Sequence, residues 1–337
     1  MSTIAGNGVG WVSFAYDDLG RRTNLGYLNF RGTSYGYGPD LRLASLTHGM
    51  PSGPGNGTQN SVSYGFGYNP AGQITSRSTS NDSYVFSPAP RDASVTPNAL
   101  NQPSPSASFA YDARGNQIAT AAAPARASTF RIDDLPLSLG VSGKSPDILG
   151  YDALDRLASI QVGSGGPVTR LAWDGDELAG ELDGSGNLQS FYANGPGTNE
   201  PMVWYQMPGT IHVFHADERG SIVALTDRSG NVERIHSYDA YGREGAASHL
   251  GRFGYAGAIA LPEAGLVHMR ARAYDPALGL FIRADPIGTK GGINLYGYAA
   301  GDPVNQVDPT GTENLGAFYD QQAKLASTGS TSNPLGC

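Results

Sequence analysis

A short block recurs along residues 1–250: an aromatic residue, then Asp, two variable positions, usually Gly, and a polar or basic residue. Clear copies are Tyr16-Asp17-Asp18-Leu19-Gly20-Arg21, Tyr111-Asp112-Ala113-Arg114-Gly115-Asn116, Tyr151-Asp152-Ala153-Leu154-Asp155-Arg156 and Tyr238-Asp239-Ala240-Tyr241-Gly242-Arg243. Weaker copies start at Tyr37, Tyr68 and Trp173, and Asp183 to Asn187 and Asp227 to Asn231 keep only the turn. Each copy reads as a strand whose aromatic faces inward, a turn capped by Asp and closed by Gly at positive φ, and a returning strand. One such hairpin cannot bury its own face. Copies paired edge to edge can, as a continuous coiled sheet with few free edges.

Composition agrees with many short strands rather than helices: Gly (47) and Pro (22) are abundant, Tyr (18) outnumbers Phe (11), and charged residues make up only 15%. The net charge of −8 argues against a nucleic-acid or anionic-lipid partner. A single Cys, Cys337, allows no disulfide within the chain. No apolar run is long enough to span a membrane, and the first residues lack the pattern of a signal peptide.

Between Arg270 and Gly311, Asp-Pro steps fall at Asp275, Asp285, Asp302 and Asp308, and two open matching tetrads, Asp285-Pro-Ile-Gly288 and Asp308-Pro-Thr-Gly311. Taken alone, each tetrad is a turn: Asp caps backbone amides, Pro sets φ, and Gly closes it. Two tetrads flanking Gly291-Gly292 and Leu295 to Tyr298 could also bring two carboxylates together.

The stretch from Phe253 to Gly311, with GYAGAIALPEAGLVHMRARAYDPALGLFIRADPIG, GGINLYGYA and NQVDPTG in order, resembles the core of the Rhs/YD-repeat family (the RHS-repeat-associated core domain). The aromatic-Asp copies resemble the YD repeats of the same family. The resemblance implies an all-β fold in which YD-repeat hairpins stack into a coiled β-sheet shell fragment closed by a core plug. It divides the chain into a shell (1–250), a core (251–311) and a short variable tail (312–337). It further implies a scaffold or encapsulation and delivery module of a polymorphic-toxin system, exported by a specialised route. The partners would be a C-terminal toxin or tail segment, a secretion apparatus, an immunity protein or cell-surface glycans.

By the same resemblance Asp285 and Asp308 would be an aspartic autoprotease pair cutting near Gly311-Thr312. Two carboxylates in contact do not both ionise easily, so one can polarise the carbonyl while the other activates water. A cut made once over hours tolerates a barrier of about 23 kcal/mol. The bland alternative is that both acids only cap turns. Three departures from the family pattern bear on it: Thr312 replaces a frequent Leu; Ala284 replaces a frequent Arg, with Arg283 one place earlier; and the 26 residues after Gly311 would be too short for a folded toxin. Arg270 and Arg272, alternating before Tyr274, would orient the core acids or form ordinary ion pairs.

The histidines suggest no metal site: His212 and His215 fall on opposite faces of a strand, and His236, His249 and His268 are isolated. No phosphate loop, dinucleotide fingerprint or nucleophile elbow is complete, and no cofactor is expected. A second functional reading is a cell-surface binding module for carbohydrate or envelope, which needs the repeat tyrosines on the outer face. Residues 49–60 and 87–108 read as loops, and Leu315 to Leu325 as one or two helical turns.

Overall fold

The computed structural model describes residues 2–6, 9–27, 32–50, 59–88, 96–104, 108–121, 125–245, 249–312 and 315–316. Strands dominate, and the only helical pieces among the described residues are short 3₁₀ turns. A seven-stranded sheet runs from Ser2–Gly6 to Ile74–Thr79 and a thirteen-stranded sheet from Phe109–Tyr111 to Val232–Ile235; in both, neighbours in space are neighbours in sequence. The pairing is antiparallel throughout and neither sheet closes on itself.

The repeat block explains the geometry of each hairpin. In Asp152–Arg156, Asp152 Oδ1 accepts the amides of Leu154 at 2.8 Å and Arg156 at 3.0 Å, while Asp155 N–H returns to Asp152 O at 3.1 Å. The fourth position takes positive φ, which Gly supplies at 76° in Gly20 and 88° in Gly115, while Asp155 bears steric strain at 58°. The aromatic before the Asp sits at a register shift, as at Tyr16, Tyr37, Tyr68, Tyr111 and Tyr151. A bulge at each turn bends and twists the strand, so the repeat coils the sheet as it lengthens it.

Period-2 alternation then lines the concave side. Val12, Phe14, Leu25, Leu46 and Tyr64 of the first sheet pack on Val203, Val213 and Ala224 of the second. Tyr27, Tyr35, Tyr64 and Tyr192 are buried core groups, but the inward placement expected of the repeat aromatics needs correction: Tyr37, Tyr68, Tyr111 and Tyr151 are half-buried and Tyr16 is 43% exposed, because each sits at the bulge beside its turn. Opposite several strand glycines stands a Ser whose hydroxyl fills the missing side chain's place: a Cβ on Gly36 would lie 2.5 Å from Ser45 Oγ.

The residues from Phe253 onward pack against the thirteen-stranded sheet. A four-stranded sheet, Ile259–Leu261, Leu266–Met269, Arg272–Asp275 and Leu280–Phe281, lays Ile259, Leu261, Leu266 and Ile282 against Leu149, Leu171, Phe214 and Leu225 of the large sheet. Behind it Tyr255, Tyr274, Phe281 and Tyr298 form a ring cluster, with Tyr274 and Tyr298 4.4 Å apart. Polar ties add to this: Tyr296 Oη donates to Gly115 O at 2.7 Å, and the buried Arg126 and Asp275 form an ion pair.

Two sequence expectations need correction. Within 87–108, Thr96–Pro97 and Pro103–Ser104 pair as a small hairpin, and Asn98 Oδ1 accepts the amides of Leu100 and Gln102 as the repeat Asp does. Asn98 replaces Asp and Asn101, at φ 60°, replaces Gly, which hides the repeat from a search for Tyr-Asp. At the other end Leu315–Gly316 is not helical but pairs with Gln306–Val307, whose backbone groups it satisfies. The rest of the expected helical stretch, and residues 51–58 of the Gly/Pro loop, lie outside the described residues.

Candidate functional site

Arg272 opens the strand Arg272–Asp275 and is 2% exposed. Its Nη2 donates to Asp285 Oδ2 at 2.9 Å and to Asp308 Oδ2 at 3.1 Å. Two oxygens sharing one nitrogen lie no farther apart than the sum of those distances. Nη1 donates to Leu295 O at 3.1 Å, Nε donates to Gly311 O, and the guanidinium lies 3.6 Å above the Phe281 ring. Burial pushes the Arg272 pKa down and the two carboxylates oppose that shift. A cation between the acids offsets their mutual repulsion, so they need not share a proton to lie close.

Each aspartate uses its other oxygen on its own turn. Asp285 Oδ1 accepts Ile287 N–H at 3.0 Å, and Asp308 Oδ1 accepts Thr312 N–H at 2.9 Å. Turn capping and convergence therefore coexist, one oxygen to each task. Gly311 sits at φ 73°, and a Cβ there would lie 2.3 Å from Met269 O and 2.9 Å from Arg272 N. Gly291 likewise lets the chain approach: its absent Cβ would be 2.4 Å from Asp285 Oδ2 and 3.4 Å from Thr312 O. The Gly311–Thr312 peptide is thus held at its carbonyl by Arg272 and at its amide by Asp308. Ala271 N–H to Thr310 O and Asn199 Nδ2 to Pro309 O, both at 3.0 Å, hold the segment before it.

Arg270 and Arg283 go elsewhere. Arg270 adopts φ 47°, which breaks the alternation expected of a continuous strand, and pairs with Glu177 at 2.7 Å. Arg283 donates to Asp133 O at 3.2 Å. Of the other Asp-Pro steps, Asp275 meets Arg126 and Asp302 holds Asn305, whose Oδ1 accepts Ile74 N–H of the first sheet. The sequence motifs contain Phe281, Gly291 and Leu295 but do not show their roles here, since a ring face under a guanidinium, a close approach and a main-chain acceptor are set by packing.

The histidines also require a correction. His212 meets Glu233 at 2.5 Å, and His215 meets Thr226 at 3.0 Å, so those two remain apart. His236 and His249 are not isolated: both contact Glu244.

A family model described as the teneurin YD-shell matches residues 188–304. Over 177 residues the chain is 46% identical to the probable deoxyribonuclease RhsB of Dickeya dadantii, covering 48% of this chain and 12% of that protein. The chain is an Rhs/YD-repeat protein. This Rhs/YD-repeat chain is also 28% identical over 215 residues to the tRNA3(Ser)-specific nuclease WapA of Bacillus spizizenii, covering 60% of itself and 9% of the relative. It therefore spans a small part of the curated relatives it matches. Among solved structures, TcdB2-TccC3 without its hypervariable C-terminal region superposes with a TM-score of 0.62 over 90% of this chain and 19% of that one. At 14% identity that likeness shows the YD-shell fold alone.

Proposed function

We propose that this chain is the wall and core of a toxin-encapsulating shell that cuts itself once at Gly311–Thr312, freeing the segment beyond the cut for delivery. The observation supporting the cut is the convergence of Asp285 and Asp308 on Arg272 Nη2, with Arg272 Nε on Gly311 O and Asp308 Oδ1 on the Thr312 amide.

In this reading water adds to the Gly311 carbonyl carbon, and Arg272 Nε–H steadies the negative charge that grows on the oxygen. Asp285 accepts the proton that water gives up. A proton passes from the pair through Asp308 to the Thr312 nitrogen as the C–N bond breaks, leaving a Gly311 carboxylic acid and a Thr312 amine, which exchange a proton to become carboxylate and ammonium. Because the bond is part of the same fold, its placement needs no binding step.

The division into shell (1–250), core (251–311) and tail (312–337), export by a specialised route, and a C-terminal toxin segment as cargo belong to the same proposal. Similarity to proteins named as nucleases, RhsB and WapA, supports it. The test is intact mass measurement on the purified full chain. Loss of residues 312–337 from the wild type, with Asp285→Asn and Asp308→Asn remaining whole, is the expected result. A wild-type chain still whole after days at 37 °C overturns the cut and leaves the scaffold.

A further inference from the structure

We propose that His236, Glu244 and His249 form a binding site for a divalent transition-metal ion such as Zn²⁺, placed where the last shell hairpin meets the core. Each offers one ligand atom, and these atoms all lie within 4.8 Å of one another. His236 Nδ1 meets Glu244 Oε1, and His249 Nδ1 meets Glu244 Oε2 at 3.0 Å. Imidazole nitrogens with one carboxylate are a donor set that suits Zn²⁺ and its first-row neighbours.

A second observation points to a ligand. Nε2 of His236 and Nε2 of His249 are both buried without a hydrogen-bond partner among the described residues. The side chains are 0% and 6% exposed. A pair of imidazoles arranged only to hold Glu244 leaves a buried polar atom on each ring, so neither ring is fully used in the metal-free chain. The rings lie 4.8 Å apart, tilted by 41°.

The scaffold is built to place these three groups. His236 N–H is anchored to Val223 O at 2.9 Å, and the Asp239 turn carries the chain back so that Tyr238 and Glu244 bridge. His249 packs against Gly254, where a Cβ would lie 3.1 Å from its ring. Glu244 and His249 also line a cavity of about 250 Å³ with Tyr238 and Tyr255, which has room for a water as fourth ligand. The ion would tie the end of the shell to the start of the core.

The experiment is zinc titration of the full untagged chain after chelator treatment and dialysis, read by calorimetry and elemental analysis. One ion per chain with a dissociation constant below about 10 μM is expected, and Glu244→Gln or His249→Gln should weaken binding at least about tenfold. His212→Gln should bind as the wild type does. X-ray absorption on the wild type guards against variants that do not fold: a nitrogen and oxygen shell with two imidazoles supports the site, and a sulfur shell from Cys337 overturns it. Absence of saturable binding, or equal affinity in the His249→Gln protein, overturns it as well.

Discussion

Asp285 and Asp308 meet at a single nitrogen, Arg272 Nη2, although one opens the turn before the Leu295 to Tyr298 segment and the other the turn after it. If this junction cuts the chain, Asn at either aspartate should hold the protein at full mass. Arg272→Lys keeps a charge but loses the fork that reaches both acids and the Gly311 carbonyl, so cleavage should slow by about a hundredfold or more. A time course of intact mass reads all three.

Gly311 and Gly288 both take positive φ, 73° and 65°, yet their surroundings differ. Nothing stands within 4 Å of a Cβ added to Gly288, so Gly288→Ala should cost about 1 kcal/mol from backbone strain. Gly311→Ala drives a methyl onto Met269 O and should cost about 3 kcal/mol or more, with loss of cleavage. Urea melts of the two variants give the contrast.

Arg126 and Asp275 are a buried pair, 5% and 0% exposed at the side chain. Asp275→Asn or Arg126→Met leaves one buried charge without its partner and should cost about 3–5 kcal/mol. The double replacement by Met and Leu should recover much of that. A double-mutant cycle on denaturant midpoints decides it.

Acid should destabilise the fold through histidines held neutral. Burial lowers His48 to about 4, and burial together with the Arg270 and Arg283 charges lowers His268 to about 4. The unfolded chain titrates these groups near 6.5 and so takes up protons first as pH falls. Stability is therefore whole above about 6.5 and declines down to about 4, by on the order of 3 kcal/mol per histidine. His48→Gln should flatten part of that slope in melts from pH 7 to 4.

Asp155 occupies a position that Gly holds in most copies of the turn, at φ 58°. Asp155→Gly should stabilise by about 0.5–1 kcal/mol, since relief of left-handed strain exceeds the added chain entropy. Asp152→Ala, which removes two capping bonds, should cost about 1 kcal/mol. Thermal melts of the pair give opposite signs.

The repeat was legible because the turn itself demands its residues: an Asp oxygen for two amides and a residue at ease with positive φ. It failed at Asn98–Gln102 and at Arg131–Leu135, where the same backbone bonds form with Asn101 and Asp134 in the Gly place. Cross-strand neighbours hold those loops, so the motif is not required. At the junction the two aspartates and Arg272 were legible as motif members. The contacts of Phe281, Gly291 and the Leu295 carbonyl were not, because residues that share a motif do not show which ring face, close approach or main-chain oxygen will meet Arg272. Arg270 misled because its positive φ turns it from the strand's alternation, and His236 and His249 escaped because only the fold brings them to Glu244.

Strict neighbour order in both large sheets has a consequence for synthesis. Every hairpin pairs with the one just made, so each sheet can be built in the order the ribosome delivers it. The peptide after Pro309 emerges later than all of it, and meets Arg272 only once the strands that surround that residue have been made. If the proposed cut occurs, order of emergence alone, with no outside signal, places it after the sheets are complete.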